Sequence, residues 1–107
     1  MMNILATPDA MKGLQQLREE RKFCTERYYP GAPTEEIRSE CEKLVNDFLD
    51  DTVALLRSGA EPERLFARAR ALSQAFRSSD TEEREKADYY IGEAMRIIGL
   101  QDWMEHI

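Results

Sequence analysis

Between Thr34 and Gly59 the apolar residues Ile37, Cys41, Leu44, Val45, Phe48, Leu49, Val53, Leu55 and Leu56 recur at spacings of three, four and seven. That period is the stripe of an amphipathic helix, and no alternation of period two competes with it. Thr34 stands where an N-cap hydroxyl is wanted, and Glu35 and Glu36 fall in the first turn, where the helix dipole favours negative charge. Arg57 and Gly59 suit the other end. The segment predicts a helix roughly 37 Å long. Val53, Leu55 and Leu56 crowd together, so its C-terminal half is expected to be covered on more than one side.

Three shorter patterns surround it. Thr7, Pro8 and Asp9 open a helix with apolar positions Ala10, Met11, Leu14, Leu17, Cys24 and Tyr28. Arg21 interrupts that seam. The pattern supports one helix to about Tyr28, with a break near Lys22 as the alternative. YYPGAP, from Tyr28 to Pro33, is a turn: Pro30 restricts its own φ and the residue before it, and Gly31 tolerates positive φ. So short a link makes the first two helices antiparallel neighbours. A third helix starts at Pro62 with the stripe Leu65, Phe66, Ala69, Leu72 and Phe76, and Ala67, Ala71 and Ala75 allow close approach. A fourth follows SSDTEE, where Ser79 with Glu82, or Asp80 with Glu83, fits a capping box. Its apolar positions are Ala87, Ile91, Ala94, Met95 and Ile98, flanked by Tyr90, and Gly99 ends it. Leu100, Trp103, Met104 and Ile107 are spaced for one more short helix. The expectation is a single all-α domain over residues 1–107, an antiparallel bundle of four helices plus a short C-terminal helix.

Charge adds a second pattern. The chain has 107 residues and a net charge of −6. Between Thr34 and Asp51 seven acids face two bases, and between Asp80 and Glu93 six face two. The third helix reverses the sign through Arg64, Arg68, Arg70 and Arg77. Those arginines are expected beside the acidic faces of their neighbours, in pairs worth at most about 1 kcal/mol each when exposed. The acidic balance argues against a nucleic-acid partner. No apolar run is long enough to span a membrane, and the first residues do not read as a signal peptide. Cys24 and Cys41 then read as free thiols in a reducing cytoplasm, able to face each other across the first hairpin.

Candidate chemistry is sparse. The one histidine, His106, has Trp103 three residues before it, so no Glu-x-x-His metal pair exists, and a zinc site would need Cys24, Cys41 and His106 to converge. The glycines are isolated and form no phosphate loop. No catalytic, metal or cofactor residue is assigned. Gly92, in mid-helix, suggests the close approach of another helix. The aromatic residues Tyr28, Tyr29, Tyr89, Tyr90 and Trp103 are more than a small core needs. The reading is a non-catalytic acidic interaction module, of inhibitor, immunity or adaptor type, that binds a basic protein partner. Its candidate surface is Tyr89, Tyr90 and Trp103 with Glu36, Glu40, Asp47, Asp51 and Glu85. One alternative is a homodimer that buries part of the third helix or the tail. Another is an enzyme or small-ligand binder with an inter-helix pocket lined by Arg64 and Arg68.

Overall fold

The computed structural model describes residues 6–26 and 29–106, with His106 described by its backbone alone. Tyr28, Ile107 and the His106 side chain therefore lie outside the described residues. Four helices follow in order: α1 (Pro8–Glu19), α2 (Glu35–Arg57), α3 (Pro62–Ala75) and α4 (Thr81–Ile97), with a 3₁₀ turn at Trp103–His106. The all-α, four-helix arrangement expected from the pattern is the one observed. No strand occurs among the described residues. α2 and α4 each pack against every other helix, whereas α1 and α3 lie apart across them.

Local chemistry sets most of the boundaries. The Thr7 hydroxyl accepts from Ala10 N–H at 3.1 Å, and the Thr34 hydroxyl accepts from Ile37 N–H at 3.1 Å. α2 ends at Gly59, whose φ is 74°. Gly59 N–H reaches Leu56 C=O, and Ala60 N–H reaches Leu55 C=O at 3.0 Å. The same pair of bonds closes α4 at Gly99 and Leu100. Asp80 holds the cap position of α4 but makes no side-chain cap bond, and Glu83 turns inward instead of completing the box. Ala67, Ala71 and Ala75 are exposed, so close approach on α3 falls to buried Ala69.

One boundary follows the alternative of a break near Lys22 and not the longer helix to Tyr28. α1 stops at Glu19, and Glu20 is extended. The cause lies in the next residues. Lys22 is fully buried and folds back on the helix end, its Nζ donating to Arg18 C=O at 3.2 Å and Glu20 C=O at 2.9 Å. An ammonium there satisfies carbonyls that the helix leaves open and meets the negative end of its dipole. Phe23 then takes a left-handed φ of 62°, a conformation that costs about 1–3 kcal/mol in a residue with a bulky side chain. Burial offsets that strain. Phe23 stacks on Phe76 with centroids 5.8 Å apart, packs on Tyr90 at 5.2 Å, and meets Tyr29 edge-on at 6.4 Å.

The core is one cluster with contributions from all four helices, the connection and the tail. In the tail Trp103 is buried and Met104 exposed. A Cβ on Gly92 would sit 3.7 Å from Trp103 Nε1, so the approach expected at that glycine comes from the 3₁₀ turn and not from a fifth α-helix.

Candidate functional site

The connection from Glu20 to Thr34 is built into the bundle by polar bonds. Glu42 accepts from Lys22 N–H at 2.7 Å, and Arg38 donates to Lys22 C=O at 3.0 Å. Arg38 is almost wholly buried and also binds Glu35 and Glu42, at 2.9 and 3.1 Å. Glu26 and Tyr29 exchange backbone hydrogen bonds at 2.8 and 3.2 Å. Tyr90 O accepts from Phe23 N–H at 3.1 Å. Lys86, on α4, points its ammonium over Tyr89 at 4.4 Å, Tyr90 at 5.3 Å and Tyr29 at 5.6 Å, and pairs with Glu26 at 2.9 Å. The aromatic set is thus largely internal.

Beside this connection the first half of α2 and the α3–α4 corner leave an open groove of about 350 Å³. Its apolar walls are Pro33, Ile37, Leu44 and Phe76; its polar groups are Glu40, Ser79, Asp80 and Glu83, with Cys41 between them. Ile37 and Leu44 are 37% and 39% exposed, although both belong to the α2 stripe. Glu83 is 3% exposed, and its Oε2 accepts from the Tyr29 phenol at 2.7 Å. Burial, with the Glu83 carboxylate beside it, pushes the Tyr29 phenol far above its ordinary value, so it stays a donor. Burial also pushes the Cys41 thiol up to about 11, helped by the nearby Glu83 and Glu40 carboxylates. A thiol so shifted is a poor nucleophile at neutral pH. Cys24 is half-buried, and both cysteines are free thiols.

The expected site residues scatter. Tyr90 and Trp103 are buried, which removes them from the candidate surface: Tyr90 serves Phe23, and Trp103 covers Gly92. Tyr89 is 53% exposed but carries Lys86 on its ring. Glu36, Glu40 and Glu85 are exposed. Asp47 pairs with Lys43 at 2.9 Å, and Asp51 with Arg68 at 2.8 Å. Arg68 also lies over the Phe48 ring at 5.7 Å, so it bridges α2 and α3 as the charge pattern suggested. Neither Arg64 nor Arg68 lines the groove. Among the described residues no three of His, Cys, Asp and Glu gather as a metal site, and no helix is long and apolar enough to cross a membrane. The sequence reading missed Lys22 and Phe23. The usable signal was phase: Phe23 follows Leu17 by six residues, off the stripe through Ala10, Leu14 and Leu17.

Fold and groove together define a small helical-bundle protein with one partly uncovered helix face and an acidic rim. The chain belongs to the family described as Domain of unknown function (DUF4844), which matches residues 5–105. No curated protein and no solved structure matches it.

Proposed function

We propose that this chain is a non-catalytic interaction module that holds a basic protein partner, working in a reducing cytoplasm. One observation carries the reading: Ile37 and Leu44 follow the stripe of the main helix yet remain exposed, side by side with Glu40 and Asp80 in an open groove. Apolar side chains kept in contact with water beside a polar rim support a docking surface. Among the described residues that line the groove none is a histidine, and its cysteine has a raised rather than an activated thiol, so it resembles a recognition surface more than a reaction centre. The net charge of −6 would speed encounter with a basic partner and make it salt-sensitive.

The test is site-specific photo-crosslinking in the source cell, with the photoreactive residue at position 44 and a control at position 70, on the exposed side of α3. The reading expects one dominant adduct from position 44, not formed when a lysate of the same cells is irradiated at high salt, and absent from position 70. Adducts of equal yield from both positions would overturn it. A position-44 adduct of twice the chain mass would replace it with the homodimer.

A further inference from the structure

We infer that the groove is a seat for a basic side chain of the partner, which enters between Ile37 and Leu44 and ends on the Glu83 carboxylate. This deepens the interaction reading above and rests on it.

The first argument is how the chain spends its own cations. Of the seven acids between Thr34 and Asp51, five are already paired. Glu35 and Glu42 hold Arg38, Asp47 holds Lys43, Asp50 holds Arg18, and Asp51 holds Arg68. The two without a basic partner among the described residues are Glu36 and Glu40, one turn apart on the face that leads to Leu44. Across the groove Asp80 and Glu83 also have no basic partner among the described residues. Of the two on α2, Glu40 lines the groove and Glu36 lies one turn before it.

The second argument is the state of Glu83. Only Oε2 is used, by Tyr29. Oε1 takes no hydrogen bond from any described residue. Glu83 lines the groove. A carboxylate 3% exposed in the groove wall, with Oε2 fixed by a phenol and Oε1 without a partner among the described residues, is an oriented acceptor beside apolar side chains. Its complement has an aliphatic stem to lie on Ile37, Leu44 and Phe76 and a cationic head to reach Oε1. Lysine and arginine have that shape. An anion would meet three carboxylates and is refused.

The experiment titrates amide NMR spectra of the full chain with n-butylguanidinium, and in parallel with n-butanol. The inference expects saturable shifts at Ile37, Cys41, Leu44 and Glu83 with guanidinium, in the millimolar range expected of a fragment-sized ligand. Butanol should bind there at least about fivefold more weakly, because it lacks the charge-assisted bond. Glu83→Gln, which can still accept from Tyr29, should erase that difference. If Glu83→Gln fails to fold, Glu40→Gln with Asp80→Asn carries the test at exposed positions and should weaken guanidinium at least about twofold. Equal binding of the two probes to the unmodified chain overturns the cation seat but leaves an apolar docking groove. Saturable shifts from neither probe overturn both.

Discussion

The two halves of α2 come from one uninterrupted stripe, yet they end up in different surroundings. In the C-terminal half Phe48, Leu49, Thr52 and Leu56 are all buried. α3 folds straight back over this half after the Gly59 turn, and Arg68 crosses between the helices to Asp51. In the N-terminal half Cys41 and Val45 are buried, but so is Arg38, while Ile37 and Leu44 stay exposed. On that side the described part of the Glu20–Thr34 connection binds Arg38 and Glu42. Periodicity states which side chains seek cover. It does not state which receive it.

Four measurements would break or sharpen that contrast. The largest effect is expected outside α2. Phe23→Ala removes the ring on which the connection is anchored and should destabilise the chain by about 3–5 kcal/mol in urea unfolding; a loss below about 1 kcal/mol would mean the connection is not part of the core. Leu49→Ala, in the covered half, should cost about 2–5 kcal/mol. Third is the alkaline limb. The Cys41 thiol is raised to about 11 in the fold, so the unfolded chain loses that proton first. Stability drawn from the neutral thiol is complete below pH 9 and fades as pH rises through 11. Tyr90, pushed up to about 12 by burial, follows with the same sign, while Lys22, lowered by burial, opposes them. The stability difference between the parent and Cys41→Ala isolates the thiol and should shrink from pH 9 to pH 11; a constant difference would show that Cys41 is not buried. Smallest is Leu44→Ser, expected to change stability by less than about 0.5 kcal/mol because the side chain is already partly in water. A loss near that of Leu49→Ala would close the groove and remove the docking proposal.

The helices were legible because their signals are local. Thr7, Thr34, Gly59 and Gly99 act through bonds within a turn or two, and the stripes of α2, α3 and α4 repeat often enough to be read. The connection was not legible in this way. Phe23 is set by partners on α3 and α4, and Lys22 by Glu42 as well as by the nearby end of α1, so a window around KFC contains only part of the cause of its shape. For the site, the acids of α2 were visible as a group, and the Lys43–Asp47 pair is local, but which of the others lack an internal cation depends on Arg18 and Arg68 arriving from α1 and α3 at specific places. Tyr90 and Trp103 looked like surface aromatics because polar tips are ambiguous in sequence. The structure gives Tyr90 O a donor at Phe23 and sets Trp103 against Gly92.

The two interior ammonium groups have a practical consequence for labelling. Of four lysines, Lys22 has no exposed surface and Lys86 keeps only 10% of its side chain in water, whereas Lys12 and Lys43 are exposed. Among the lysines, an amine-directed dye or surface tether will therefore find the outer faces of α1 and α2 and leave the ring-and-loop assembly intact. Lys43 follows Glu42 and precedes Leu44 on α2, so a fluorophore there would lie within one turn of the groove.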